Sequence, residues 1–225
     1  MILEHVLVVA MLVAFPVWDH FEWRHLKTTT DPWAKVHCYW RILAVEWIVV
    51  GLLLLIRGPQ QLFFLGDVGT LPWELSRSTV LSMAIGALAS IVVVAVVGRL
   101  SPAVRARQAK QTAPLMPLLP RTRNERLLFV AVCLTAGICE EVIYRGFLIQ
   151  YLIDLPIGLS FTTALLFSSL LYGLAHLGEG PVGMVRASLF GGFLGLLFLS
   201  PGILYFSIMI HTSVNSWALK IPAPG

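Results

Sequence analysis

Charged side chains are scarce in this chain. Only 12% of its 225 residues are Asp, Glu, Lys or Arg, whereas 57% are hydrophobic. A soluble domain carries about 25% charged residues, so this composition excludes an ordinary soluble protein and indicates one embedded in a membrane. The formal net charge of +4 does not indicate nucleic-acid binding, because the basic residues crowd into loops beside apolar segments.

Several motifs of familiar soluble enzymes are missing as well. The three cysteines, Cys38, Cys133 and Cys139, form no CxxC pair and are interpreted as small apolar residues. No segment shows the alternation of a β-strand, and an exposed sheet edge is not tolerated in lipid. The sequence contains no HExxH, and no serine near its end lies in a GxSxG setting.

Apolar segments occupy most of the chain. Each is long enough, or nearly long enough, to cross a bilayer, which takes about 17–25 helical residues. The predicted fold is therefore an all-α, polytopic transmembrane helical bundle of about seven spans. The segments lie near residues 2–18, 41–57, 79–98, 126–150, 159–177, 183–199 and 202–219.

The distribution of basic residues predicts the orientation. Residues 99–126 hold seven Lys and Arg residues against one acid, whereas residues 150–158 hold no basic residue. Because basic loops stay in the cytoplasm, the N-terminus is predicted outside and the C-terminus inside. The same pattern predicts a three-span region at 1–100, a cytoplasmic proline-rich linker at 101–124 and a four-span core at 125–219. The localisation is multi-pass membrane, the plasma membrane if the source is bacterial.

The stretch "GICEEVIYRGF", residues 137–147, places three charges inside one apolar segment. Charges in the hydrocarbon region are costly and usually functional. Glu141 and Arg145 are four residues apart, so they can pair on one helix face. Glu140 points about 100° away from Glu141. The simplest interpretation pairs Glu141 with Arg145 and leaves Glu140 facing a cavity; the alternative is one structural cluster of all three charges.

Two more polar pairs follow in the later segments. "YGLAH" contains Tyr172 and His176, and "HTSVN" contains His211 and Asn215. Taken singly, each pair has an ordinary explanation, as a histidine at the membrane boundary or as hydrogen bonding between helices. Together with Glu140 they lie in three of the last four apolar segments, and this convergence indicates a functional site.

The motifs "EEVIYR", "YGLAH" and "HTSVN", in this order, resemble those of the CPBP family of intramembrane proteases. That family comprises the type II CAAX prenyl endopeptidases and their bacterial relatives, which include bacteriocin-processing and immunity proteins. The resemblance covers residues 121–219, and Tyr172 stands where phenylalanine is commoner. It implies an intramembrane endopeptidase that cleaves membrane-anchored or lipidated peptides, either of the CAAX type or in bacteriocin or peptide maturation.

Peptide hydrolysis needs an activated water and a stabiliser for the oxyanion. Glu140 suits the general base, and His176 could hold the same water or move its proton. His211 and Asn215 could donate hydrogen bonds to the oxyanion. The resemblance implies the same assignment, position by position. The supporting residues around this site are predicted to be Glu141, Arg145 and Tyr172.

Other functions stay open at this level. Glu140, His176 and His211 could instead bind a catalytic zinc ion, although a metal-free glutamate mechanism is favoured. The chain could also be a non-catalytic membrane protein, an immunity protein or partner-binding scaffold on the same fold. A small transporter is the third alternative, but the inverted repeats that favour transport are not found. The expected partners are the lipid bilayer and a membrane-held peptide, without nucleic acid, and no oligomeric state is indicated.

Overall fold

The protein is all-helical in the computed structural model, which describes residues 2–64, 77–104, 106, 115–199 and 203–220. These ranges contain no β-strand, and Phe64 and Ile203 form a single isolated bridge. The all-α part of the fold prediction is therefore confirmed. The helices of twelve or more residues in the described ranges are α1 (Ile2–Thr28), α2 (Ala34–Phe63), α3 (Arg77–Leu100), α4 (Arg123–Ile153), α5 (Phe161–Leu174), α6 (Gly180–Leu199) and α7 (Tyr205–Ser216).

Helix length and composition identify membrane-spanning candidates. Four candidates are long and apolar enough to cross a bilayer: α1, α2, α4 and residues Leu177–Phe198. Helix α5 is apolar but has only 14 residues, fewer than the roughly 20 that a crossing of about 30 Å needs. The protein is an integral membrane protein; the number of seven spans and the orientation of its termini stay predictions.

Helices α1 and α2 extend beyond the apolar segments that predict them. Residues 19–41, expected as a loop, are mostly helical, since α1 continues to Thr28 and α2 begins at Ala34. Apolar patterning locates only the part of a helix that needs hydrocarbon, whereas backbone hydrogen bonding continues into the polar boundary. The true turn is set by local polar contacts, such as the Trp33 amide donating to Asp31 Oδ1 at 2.9 Å.

Helix α4 is the central helix of the bundle. Its most apolar window is 61% buried, against 17–33% for the other candidate spans, and it packs against both α2 and α7. The side chain of Thr122 accepts a hydrogen bond from the Glu125 amide and caps its start. Residues Val142–Leu148 form a π-helical turn, a local widening that often occurs at functional sites.

Glycine allows α4 and α7 to approach closely. A Cβ added at Gly137 would lie 2.0 Å from the Oγ1 atom of Thr212 and 3.0 Å from its Cα atom. The second distance involves backbone, so rotation of the Thr212 side chain cannot remove the conflict. The contact therefore depends on the missing side chain at Gly137.

We expect Gly137→Ala to lower the stability of the folded bundle by about 1–3 kcal/mol, the usual cost of overpacking. The matched control is Gly51→Ala in α2, where an added Cβ meets nothing within 4 Å and alanine is the better helix former by about 1 kcal/mol. Melting of both variants in detergent checks this. Equal melting temperatures would contradict the close contact between α4 and α7.

The N-terminal and C-terminal halves of the chain contribute helices to the same bundle. Helix α2 packs against α4, and its Tyr39 hydroxyl donates to the carbonyl of Leu118. Lys35 Nζ donates to the carbonyl of Leu119 at 2.8 Å. Parts of the predicted linker, residues 105 and 107–114 with Arg105, Arg107 and Lys110, lie outside the described residues. The division into 1–100, 101–124 and 125–219 stays a prediction.

Candidate active site

A cavity of about 710 Å³ lies where α1, α2, α4 and α7 meet the turn that follows α5. Aromatic and aliphatic side chains from α1, α2, α4 and residues 115–119 form most of its lining. Glu140, His176 and Asn215 also line it. The structure thus brings three of the four predicted catalytic residues to the border of one cavity, although they come from three separate motifs.

Glu141 and Arg145 form the ion pair expected from their spacing. Arg145 Nη1 donates to Glu141 Oε1 at 2.8 Å, and both side chains are buried, with exposed fractions of 1% and 0%. Arg145 Nη2 also donates to the carbonyl of Gly191 in α6 at 2.9 Å. The guanidinium lies 4.6 Å from the ring centroid of Tyr172. These contacts compensate the arginine for its lost hydration.

His211 extends this pair into a network across four helices. Its Nδ1 atom lies 2.7 Å from Glu141 Oε1 and its Nε2 atom lies 3.2 Å from the Tyr172 hydroxyl. A carboxylate only accepts hydrogen bonds, so Nδ1–H donates to Glu141 and, in the neutral ring, Nε2 accepts from Tyr172. Helices α4, α5, α6 and α7 are therefore joined through Glu141, Tyr172, Gly191 and His211.

Of the two adjacent glutamates, Glu140 is the one that borders the cavity. Its side chain is 20% exposed, and its Oε2 atom lies 3.6 Å from His211 Nε2. Oε2 is buried and has no hydrogen-bond partner among the described residues. The hydrogen bonds of Arg145 go to Glu141 and Gly191. This arrangement matches the interpretation that separates Glu140 from the ion pair rather than the single cluster of three charges.

His176 lies in the turn after α5, beyond the helix end at Leu174. Its Nδ1 atom is 2.9 Å from the carbonyl oxygen of Tyr172. A carbonyl only accepts, so Nδ1–H is the donor and Nε2 of the neutral ring keeps its lone pair. The ring is half-buried and borders the cavity. His176 is therefore available to a molecule in the cavity through Nε2.

Three carboxylates of the cavity wall, Asp19, Glu46 and Glu179, were not predicted as site residues. Glu46 in α2 borders the cavity, and its Oε2 atom is buried without a hydrogen-bond partner among the described residues. It is the one acidic residue in the apolar segment 41–57, a signal that marks an intramembrane functional residue. Asp19 in α1 also borders the cavity. It follows the first apolar segment, and no sequence signal connects it with the motifs.

The predicted zinc alternative does not fit the arrangement of these side chains. Within the described residues, no group of three or more His, Cys, Asp or Glu side chains is placed to hold a metal ion. Both nitrogens of His211 already contact Glu141 and Tyr172, so rotation to a metal would break the network. We derive no step through a metal, and metal independence stays a prediction.

Comparison with protein families finds a match in the C-terminal half of the chain. Residues 122–217 match the family described as Rce1-like, type II CAAX prenyl endopeptidase Rce1-like. This part of the chain is an Rce1-like domain. It contains all three motifs, so the resemblance predicted from them is confirmed. No curated protein and no solved structure matches the chain.

The Rce1-like match indicates a hydrolase of the CAAX protease type, and the four candidate spans indicate an integral membrane protein. Helices α1 and α2 lie outside the matched residues, yet both contribute to the cavity wall. The cavity is therefore shared between the Rce1-like domain and the front of the chain.

Proposed function

We propose that the Rce1-like domain hydrolyses a peptide bond of a membrane-held substrate, with a water activated by Glu140. The observation that carries this proposal is the position of Glu140, whose side chain is 20% exposed at the border of a cavity that His176 also borders and whose Oε2 atom has no hydrogen-bond partner among the described residues. A carboxylate with an unoccupied lone pair at a cavity wall can accept a proton from water. General base catalysis of this kind contributes about 10²–10⁴-fold to a rate.

His176 and Asn215 supply the other two functions that hydrolysis needs. The Nε2 lone pair of His176 can accept a hydrogen bond from the same water and align it for attack. Asn215 borders the cavity from α7, and its amide N–H can donate to the oxyanion as negative charge develops there. One such donor contributes about 10²–10³-fold.

The role proposed for His211 differs from the sequence expectation. The sequence suggests that His211 and Asn215 both donate to the oxyanion, but the two nitrogens of His211 contact Glu141 and Tyr172. These contacts favour Asn215 as the oxyanion donor. His211 then supports the position of Glu140 without contacting the substrate, because its ring lies beside Glu140 and is held by Glu141. Arg145 in turn holds Glu141 through their ion pair, which limits movement of the side chains around Glu140.

The reaction proceeds in two proton transfers. Glu140 accepts a proton from water while the water oxygen bonds to the carbonyl carbon of the substrate, which forms a tetrahedral oxyanion. The proton on Glu140 then passes to the amide nitrogen, directly or through His176, as the C–N bond breaks. The products are a carboxylic acid and a free amine, and Glu140 returns to its ionised form; the acid then loses its proton to the amine or to water.

A prenylated peptide with a C-terminal CAAX sequence is the substrate that the family assignment supports first. A cavity of about 710 Å³ with a mostly apolar lining is within the range of about 300–1,000 Å³ for ligand pockets. The apolar side chains of α1 and α2 suit a lipid anchor or apolar residues, while Glu140 and His176 face the bond to be cleaved. Bacteriocin or peptide maturation is the alternative use of the same chemistry.

The test uses the full chain reconstituted in liposomes and a farnesylated CAAX peptide with a fluorophore. We expect mass spectrometry to show a single cleavage of that peptide and much slower cleavage of the unprenylated peptide of the same sequence. Equal cleavage of both peptides would contradict the lipid-anchor part of the proposal. The proposed protease function would be contradicted if the protein cleaved neither the farnesylated peptide nor an unmodified membrane-spanning peptide.

Metal removal is expected to leave the rate unchanged, because Glu140 acts on water without a Lewis acid. The measurement compares cleavage before and after dialysis against a strong zinc chelator, followed by addition of zinc. The control is a zinc-dependent peptidase treated in parallel. Loss of cleavage that zinc restores would replace the glutamate mechanism with a metal mechanism.

A further inference from the structure

Helix α1 holds the turn that carries His176. Asp19 Oδ2 accepts a hydrogen bond from the Gly178 amide at 2.8 Å. One helical turn later, the Trp23 indole lies so close to Gly178 that an added Cβ would be 1.7 Å from its Cδ1 atom. Asp19 and Trp23 are four residues apart and therefore share a face of α1. The two side chains contact the chain two residues beyond His176.

The turn itself gives His176 little support from regular structure. Helix α5 ends at Leu174, and a short 3₁₀ turn spans Leu177–Glu179 before α6 begins. The His176 amide donates to the Gly173 carbonyl at 3.1 Å, and the Glu179 amide donates to the His176 carbonyl at 3.0 Å. These are local bonds that move with the turn. The bond to Asp19, 159 residues away in sequence, fixes the turn relative to another helix.

The position of this turn decides where the His176 ring lies relative to Glu140. The ring also bonds through Nδ1 to the Tyr172 carbonyl, which sets its rotation but leaves the backbone of the turn to other contacts. Displacement of a catalytic group by about 1 Å can cost a hundredfold in rate. A contact that anchors the turn from outside the Rce1-like domain therefore bears directly on the chemistry.

We propose that Asp19 and Trp23 are positioning residues for His176, so that helix α1 completes the active site although it lies outside the Rce1-like match. The proposal rests on the proposed function of Glu140 and His176. Trp23 is buried, with 6% of its surface exposed, and packs against a glycine that accepts no side chain. Asp19 adds the hydrogen bond that fixes the register between α1 and the turn.

The kinetic test compares Asp19→Ala, Asp19→Asn and a control on the same helix. Asn keeps an oxygen that accepts from the Gly178 amide, whereas Ala removes it. We expect Asp19→Ala to lower kcat by roughly 10- to 100-fold with little change in KM, the effect of a misplaced catalytic group, and Asp19→Asn to restore most of the rate. Trp23→Leu is expected to lower kcat as well, with a change in KM because Trp23 also lines the cavity, and it serves if Asp19→Ala does not fold.

The control variant is Glu22→Ala. Glu22 Oε1 accepts from Arg41 Nη2 at 2.5 Å, a bond between α1 and α2 that leaves the His176 turn untouched. We expect Glu22→Ala to keep the kcat of the wild type. A kcat for Asp19→Ala equal to that of the wild type would overturn the proposal, and so would an Asp19→Asn variant as slow as Asp19→Ala.

Hydrogen exchange supplies a readout that does not depend on cleavage. Asp19→Ala should accelerate amide exchange in peptides that cover residues 176–180, whereas Asp19→Asn should leave it near the wild-type rate. Unchanged exchange in Asp19→Ala would overturn the proposed anchoring. A wild-type protein that cleaves no peptide while Asp19→Ala accelerates this exchange would refute the proposed protease function and support the anchoring of the turn by α1.

Discussion

Replacing Glu140 by glutamine is expected to abolish peptide cleavage while leaving the protein folded. Gln has nearly the same shape, but it cannot take a proton from water. The expected loss is about 10²–10⁴-fold in kcat, the usual contribution of a general base. Stability should be unchanged or higher, because the variant removes a charge whose Oε2 atom is buried without a partner among the described residues. Cleavage of the farnesylated peptide and melting in detergent check both parts.

Glu46→Gln is the matched control for this variant. Glu46 borders the same cavity and also has a buried Oε2 atom without a partner in the described part of the chain. The substitution is chemically identical, but α2 places Glu46 outside the motifs of the Rce1-like domain. We expect cleavage to persist in Glu46→Gln. If Glu46→Gln is inactive and Glu140→Gln cleaves normally, Glu46 rather than Glu140 is the base.

Glu141→Gln is expected to act mainly on stability, in contrast to Glu140→Gln. It leaves the guanidinium of Arg145, 1% exposed, without its counter-charge, and breaking a buried pair costs about 3–5 kcal/mol. It also weakens the bond from His211 Nδ1, 2.7 Å from the same carboxylate oxygen. The expected result is a lower yield and a lower melting temperature. Activity should fall as a consequence, because the contacts of Arg145 and His211 beside Glu140 are disturbed.

Two further variants test whether the lost stability of Glu141→Gln comes from the unpaired charge of Arg145 or from the substitution itself. Glu141→Gln combined with Arg145→Met removes both charges and should recover part of the lost stability. Glu22→Gln breaks an ion pair whose Arg41 side chain is 47% exposed, and such pairs contribute only about 0–1 kcal/mol. A Glu141→Gln variant that melts like the wild type but is inactive would contradict the supporting role and indicate direct participation in catalysis.

The contacts within one helix were largely predictable from the sequence. The pairing of Glu141 with Arg145 follows from a spacing of four residues, because such side chains lie on one helix face. The direction of Glu140 away from that pair follows from the same geometry. The ends of α1 and α2 were not predicted, since their polar continuations carry no apolar pattern. The position of His176 in a turn, rather than at the end of a span, was missed because the apolar pattern continues to Leu177, beyond the helix end at Leu174.

The contacts between helices could not be predicted in this way. Nothing in the spacing of "HTSVN" indicates that both nitrogens of His211 contact Glu141 and Tyr172. The carboxylates of Glu46 and Asp19 reach the cavity because α1 and α2 pack beside the Rce1-like domain. An intramembrane glutamate such as Glu46 could have been flagged as functional, but its neighbours could not have been named.

The sequence by itself determined that this protein is a helical membrane protein with an Rce1-like set of motifs. The reason is physical: hydrocarbon demands long apolar helices, and each motif places its residues through the periodicity of one helix. Only the tertiary structure decided which groups of different helices meet. Packing of α4 against α2 and α7 set the cavity, and the contact of Asp19 with the Gly178 amide brought α1 to the turn of His176. Such contacts depend on the combined shapes of distant segments, which no local pattern records.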